Sequence, residues 1–457
     1  MSGISYGGML DVSAAGALGD GLTDDSAIIQ RVVNEVSHNG GGTVYFPPGT
    51  YLAKFYVPAN TDLVGDTATL KLPALSAGDG SPIVDVRGSR VTFRGLKFDG
   101  NKSAQTADGF SDSFNTGGGG TGRAYRAAIK VDGTTYSPIE KLLVENCEFV
   151  NTYGAAIAAL NVDRVHILNN HFDGCNFEAA FLYVDSGQTN DEAVISGNVV
   201  RNVGSGHASV NGNCFVVTKY RRCSFTSNAC YNFERNMVKF EHGVQIACIG
   251  NHAELNTVDS FGAIQTQGTC SKIVIADNVI KQCGAGITLN HNPAASAVTI
   301  TGNVIEETLG PSQGDGILVG ATALDEAVIS GNVLRNILRM GVATSLGGSR
   351  LSISHNVIEG TGHTDQPAIY INGGGPTNQL SIIGNVIYDY PGAAGGVGVL
   401  RVLGAGANVN NHIVIQDNSI VVEDGTRTAI VLQSGSVPTG LLDNNYTNGV
   451  VSGAIGA

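Results

Sequence analysis

Val298-Thr-Ile-Thr-Gly-Asn-Val-Ile305 reads as a strand, a tight corner and the start of a second strand. Val298 and Ile300 alternate with Thr299 and Thr301, the period of two expected of a strand with one buried face. Gly302-Asn303 suits a sharp turn with positive φ. The same unit recurs at Asn146, Asn170, Asn198, Asn228, Asn251, Asn278, Asn303, Asn332, Asn356, Asn385, Asn418 and Asn445, at spacings of 23–33 residues. A repeat of that length, with short apolar triplets on each side of the asparagine, predicts one solenoid coil per repeat. Stacked asparagine amides would then hydrogen-bond along the axis. After a loop of variable length each repeat holds a third strand, with Phe181, Phe215, Val238, Ile264, Ile287 and Ile317 among its residues. We call it the groove strand, because the loops before it vary most in length, where specificity loops belong.

Composition agrees with this reading. Charged residues make up only 14% of the 457, glycine contributes 63 and tryptophan none, which suits an all-β chain with frequent tight turns. A single core of this length normally splits into domains unless the architecture is quasi-one-dimensional. The net charge of −13 argues against nucleic acid as a partner. No apolar run reaches the roughly 18 residues that span a bilayer, so no membrane partner is expected. The start, Met1-Ser-Gly-Ile-Ser-Tyr6, lacks the basic and apolar regions of a signal peptide. The expectation is an extracellular protein whose leader has been removed, or one that leaves its cell on a phage particle. The eight cysteines all lie between Cys147 and Cys283, several at matching repeat positions, and read as buried free thiols rather than disulfides.

The opening segment is Asp11-Val-Ser-Ala-Ala-Gly-Ala-Leu-Gly-Asp-Gly-Leu-Thr-Asp-Asp-Ser26, then a helix, then Gly40-Gly-Gly-Thr-Val-Tyr-Phe-Pro-Pro-Gly-Thr-Tyr51. The helix is expected over 24–37, burying Ile28, Ile29, Val32, Val33 and Val36 and covering the open end of the stack. These residues resemble the N-terminal segment of the pectate-lyase-like superfamily, which includes polysaccharide lyases, mannuronan epimerases and phage tailspike depolymerases. The resemblance implies a single-stranded right-handed parallel β-helix with an N-terminal capping helix. One domain is expected over 1–457: a capping segment over 1–52, about a dozen coils over 53–445, and a tail over 446–457. The tail has no capping helix, so a homotrimer partner, a further C-terminal domain or a loop would have to cover that end.

Asn236-Met-Val-Lys-Phe-Glu-His-Gly243 is the exception among the groove strands. Val238 and Phe240 point inward, Lys239 and Glu241 outward, and His242 follows at the edge. Outward residues on the neighbouring coils are expected to include Tyr183 and Asp185, then Lys219 and Tyr220 with Arg221 and Arg222 just after. Gln265 and Gln267 follow, then Asn290 and His291, and later Leu400. Lysine, arginine and histidine suit the carboxylates of an anionic polysaccharide, while glutamine and asparagine read hydroxyls. A purely structural amide ladder is the competing reading for Gln265, Gln267 and Asn290.

Val216-Val-Thr-Lys219 followed by Lys239-Phe-Glu-His-Gly243 resembles the active-site region of the chondroitinase B and alginate lyase family. That resemblance implies that Lys219 abstracts the proton next to the uronate carboxyl. Glu241 stands where the family has arginine, and Gly212 and Cys214 stand where its calcium ligands fall, so calcium is not indicated. No other cofactor or metal is expected. The epimerase hallmark is absent, because Tyr153-Gly154 is followed by Ala-Ala-Ile-Ala-Ala. The preferred expectation is a lyase cleaving a uronic-acid glycan by β-elimination. Lys219 or His242 would be the base, Lys239, Arg221 and Arg222 would stabilise the enolate, Gln265 and Gln267 would orient the sugar, and Tyr220 would be the proton donor. One alternative is a tailspike-type glycoside hydrolase pairing Glu241 with Asp185, with Glu178 and Asp259 as further candidates. The other is a non-catalytic glycan-binding β-helix or an epimerase.

Overall fold

The structure is a computed structural model. It describes residues 8–106, 122–136, 138–185, 187–204, 212–256, 262–291, 297–321, 324–344, 348–361, 366–372, 379–389, 398–403, 412–422, 428–433 and 440–452. The backbone forms two compact units, Met1–Glu234 and Arg235–Ala457. Each is a right-handed parallel β-helix built from three parallel sheets.

In the first unit, sheet 1 runs from Met9–Asp11 to Tyr220–Thr226, sheet 2 from Asp20–Asp24 to Ala229–Phe233, and sheet 3 from Phe55–Val57 to Phe215–Thr218. The chain visits sheets 1, 2 and 3 in turn and returns one coil higher. Equivalent residues therefore register side by side, as Phe98, Phe149 and Phe172 do. Their rings stack at 4.9 and 4.8 Å with nearly parallel planes. All three are fully buried, and each such side chain contributes about 1.5–3 kcal/mol of hydrophobic stabilisation.

The helix spans Ser26–His38, two residues later than expected at its start. Asp24 still belongs to a strand, and Asp25 accepts hydrogen bonds from the Leu18 and Gly19 amides instead of capping the helix. Ile29, Val32, Val33 and Val36 are buried beneath it as expected, whereas Ile28 is half-buried.

In the second unit, sheet 1 runs from Gln245–Ile249 to Gly440–Asp443, sheet 2 from His252–Asn256 to Tyr446–Thr447, and sheet 3 from Val238–Glu241 to Val450–Ser452. The corner between sheets 1 and 2 holds the asparagine ladder. Asn303 Nδ2 donates to Asn332 Oδ1 at 2.9 Å and to Ile275 O at 3.0 Å, while its own Oδ1 takes Nδ2 of Asn278. The pattern repeats from Asn251 to Asn445, and from Asn170 to Asn228 in the first unit. The residue before each rung is left-handed, as at Asn169, Ser227, Gly302 and His355. Asn146 proves to be one of these left-handed residues (φ 52°), and the rung there is Cys147, whose amide donates to Asn170 Oδ1. The repeat marker at 146 is therefore one residue out of register.

All eight cysteines are buried free thiols. Burial pushes Cys147 and Cys175 up to about 12 and Cys270 up to about 11.

Candidate functional site

In the second unit, sheet 3 begins with Val238–Glu241. Val238 and Phe240 are fully buried, which obliges Lys239 and Glu241 to face outward. The two side chains form an ion pair at 2.5 Å, each about a quarter exposed. The next strands place Gln265 and then Thr288 beside Lys239, and Gln267 and then Asn290 beside Glu241. Glutamine and asparagine amides thus continue both columns, with Gln267 and Asn290 exposed and Gln265 half-buried. On the very next strand the first column turns apolar, with Leu318 and then Ala343. The polar face is three strands wide.

His242 turns the corner after Glu241 in a left-handed conformation (φ 58°) and is exposed. Its ring lies over Gly268, where a Cβ would come within 2.7 Å of Nδ1. The Thr269 amide N–H donates to Nδ1 at 3.2 Å, and the Thr269 hydroxyl lies 2.9 Å from the same nitrogen. A backbone amide can only donate, so Nδ1 is the acceptor and the ring proton sits on Nε2, facing outward. Gly268 and Thr269 were not among the expected site residues; the glycine after Gln267 is the signal that could have found them. His291 registers beside Gly268 at the end of its strand, and its side chain lies outside the described residues. Asp259 lies outside them as well. Leu400, expected outward, is fully buried, and the register puts Arg401 outward beside Tyr370 instead.

The first unit departs more from expectation. Its strand Phe215–Thr218 ends before Lys219, which is left-handed (φ 57°). Lys219 Nζ donates to Asp185 O at 2.9 Å and to Val184 O at 3.3 Å, holding the corner of the coil below. Tyr220 begins a strand of sheet 1 and points inward. It is fully buried, its hydroxyl donates to Val162 O at 2.9 Å, and burial pushes its pKa upward, so it does not face a substrate as a proton donor. Arg221 and Arg222 are exposed on that same sheet 1 strand, not on sheet 3, and Arg222 pairs with Asp191 at 2.7 Å. Both were expected beside the groove strand; the corner at Lys219 carries them to another sheet.

Asp185 Oδ2 accepts Asn161 Nδ2 at 2.9 Å and the Thr134 hydroxyl at 3.1 Å. Tyr183 is half-buried, its ring stacked on Phe181 at 5.5 Å. Around them the outward face of sheet 3 is an apolar cluster of Ala158, Leu160, Phe181 and Val216, packed with Ala124 and Ala127 from the segment across it. Glu178, a hydrolase candidate from sequence, is fully buried at 3.0 Å from Arg123. The Arg123 guanidinium lies 4.4 Å from the centre of the Phe181 ring. Among the described residues the face around Tyr183 and Asp185 is closed by packing, whereas Lys239 and Glu241 in the second unit are partly accessible to solvent.

Among the described residues no group of three or more histidine, cysteine or acidic side chains is placed to hold a metal ion. None of their helices is long and apolar enough to cross a membrane.

Residues 9–92 match the model of the family described as rhamnogalacturonase A/epimerase, pectate lyase-like. The SPbeta prophage-derived uncharacterized protein YomE of Bacillus subtilis (strain 168) is 22% identical over 331 residues, 69% of this chain and 44% of that protein. Mannuronan C5-epimerase AlgE6 of Azotobacter vinelandii is 33% identical over 125 residues, 23% of this chain and 14% of the epimerase. The chain spans less than half the length of either relative. The crystal structure of PfbA, a surface adhesin of Streptococcus pneumoniae, is similar over 80% of this chain and 93% of its own, with a TM-score of 0.55 at 16% identity. That likeness is one of fold. The resemblance to the pectate-lyase-like β-helix proteins read from the opening segment is borne out.

Proposed function

We propose that the chain is a polysaccharide-degrading enzyme acting outside the cell or on a virion, and that its site is the Lys239–Glu241 face of the second unit. The observation that carries this reading is the partly exposed ion pair, flanked by outward glutamine and asparagine amides. Amides on neighbouring coils, about 4.8 Å apart, suit the hydroxyls of successive sugars, and the lysine suits a uronate carboxylate. The similarity to a mannuronan epimerase supports a glycan substrate, and the similarity to a prophage-derived protein supports a virion setting.

The preferred reaction is β-elimination at a uronic acid. Lys239 and the outward Nε2–H of His242 bind the carboxylate and stabilise the charge that develops on it as the enolate forms. A substrate carboxylate competing for Lys239 releases Glu241 to take the C5 proton. The C5–H electrons become the C4=C5 double bond, the C4–O bond breaks, and Glu241 returns its proton to the leaving oxygen. One carboxylate serves as base and then acid. Glu241 is the sole carboxylate among the described outward residues of this sheet in the second unit, whereas hydrolysis with paired carboxyls requires two.

The test is incubation with a panel of uronate polysaccharides while following ultraviolet absorbance of unsaturated uronate and the appearance of reducing ends. Both signals rising together, and both lost in Glu241→Gln, is the expected result. Reducing ends without the absorbance would replace elimination by hydrolysis. Solvent exchange at C5 without cleavage would make the protein an epimerase, and no change of any kind would leave a binding protein.

A further inference from the structure

A second concavity lies in the second unit, on the outward face of sheet 1 and so on a different sheet from Lys239 and Glu241. Its volume is about 350 Å³, within the range of small-molecule sites. It crosses Leu324–Ser330, Gly348–Ser354, Gln379–Ile383 and Ile413–Gln416.

Side-chain size makes the hollow. One outward column reads Val328, Ser352, Ser381, Val414, so two short serines sit between two taller valines. The adjacent column of Glu326, Arg350 and Gln379, continued by His412, supplies long side chains that wall the depression. Four strands span roughly 14 Å at about 4.8 Å per strand, the length of a short oligosaccharide.

The lining is rich in unused hydrogen-bonding capacity. Ser352, Ser381, Gln379 and His412 have no side-chain partner in the protein among the described residues. Elsewhere in the same sheet the Ser330 and Thr301 hydroxyls pair across strands at 3.4 Å. Arg350 meets Glu326 at 3.3 Å and keeps further N–H donors to spare. The Arg350 and Glu326 charges offset each other in the lining, which leaves little net attraction for phosphates and uronates. A lipid chain would cover the Ser352 and Ser381 hydroxyls and the Gln379 amide without giving them a hydrogen-bond partner. Hydroxyls and amides over a floor edged by aliphatic methyls match the mixed polar and C–H surface of a pyranose.

We propose that this hollow is a binding subsite for a neutral oligosaccharide of about three hexopyranoses, separate from the Lys239–Glu241 face. It holds a glycan on a second face of the solenoid, and it stands whether or not the other face is catalytic.

The probes are cellotriose, maltotriose, laminaritriose and tri-N-acetylchitotriose, titrated against the full chain by saturation-transfer NMR. At least one should bind saturably at roughly millimolar concentration, because no aromatic platform adds stacking energy. Ser381→Trp fills the floor and should abolish the signal. Ser381→Val keeps a strand-compatible side chain, removes the hydroxyl, and should weaken binding several-fold if the tryptophan variant misfolds. Glu241→Gln should leave binding unchanged. Absence of saturable binding for all four sugars, or equal binding by the Ser381 variants and the wild type, would overturn the proposal. So would binding lost in Lys239→Ala and kept in Ser381→Trp, because it would put the sugar on the other face.

Discussion

Glu241 differs from its neighbouring glutamines in its negative charge and in the capacity to take up a proton. Glu241→Gln preserves size and one acceptor oxygen for Lys239 but removes the charge of a partly exposed ion pair, so turnover should fall by roughly 10²–10⁴-fold while the melting temperature changes little. Steady-state kinetics and thermal unfolding of the same preparation separate the two effects. Gly268→Ala offers a sharper test, because Gly268 is left-handed (φ 75°) and its missing Cβ makes room for the His242 ring. The variant should lose activity about as severely as His242→Ala, at a stability cost of about 1–2 kcal/mol for the left-handed backbone. Full activity in Gly268→Ala would remove His242 from the mechanism. Lys239 and Glu241 were legible in the sequence because Val238 and Phe240 fix the alternation on a continuous strand. Tyr220 was not, because left-handed Lys219 ends one strand and the next starts with a fresh phase, so counting by twos across the corner inverts inside and outside.

At the scale of the element, the corner between sheets 1 and 2 sets the register of every coil. Asn303→Ala removes bonds to Asn332 and Ile275 and strips Asn278 of its acceptor. Buried groups left without partners make such a loss expensive, about 2–4 kcal/mol by equilibrium urea unfolding. Asn303→Asp should cost at least as much, since a carboxylate cannot donate to the next rung. A loss below about 0.5 kcal/mol would mean that water replaces the rung. Glycine or asparagine before an apolar pair made these corners readable. Asn146 misled by one position because asparagine is also well suited to the left-handed residue just ahead of the rung. The wall and floor of the sheet 1 hollow were invisible to pattern reading, which assigns outward serines and valines a face but no height.

For the molecule as a whole, the solenoid was legible because each coil repeats one short instruction. The division after Glu234 was not, because it falls within a repeat and no shift in composition marks it. The buried thiols give a global readout. Desolvation raises Cys147 and Cys175 from 9.0 to about 12, so protonated thiol is favoured in the folded state. The stability this contributes is complete below the unfolded value near 9 and is lost as pH rises from there toward 12. Native protein at neutral pH should therefore titrate almost no thiol with Ellman's reagent, and all eight cysteines after denaturation. Rapid reaction of the native protein would mean that the coils open locally.

The ladder also governs how the protein ages chemically. Deamidation requires the backbone nitrogen after an asparagine to attack that asparagine's own side-chain carbonyl. At the rungs this nitrogen is engaged: Val304 N–H donates to Asn278 O and Val333 N–H to Asn303 O, while the side-chain amide is held at both ends. The rungs should stay intact through long storage, and conversion should begin at Asn39-Gly40. The Gly40 N–H also donates, to Ser37 O at 3.0 Å, but on the exposed end of the N-terminal helix, where fraying frees it, whereas these rungs are buried. Peptide mapping by mass spectrometry of stored protein would find aspartate and isoaspartate at Asn39 well before any rung is touched.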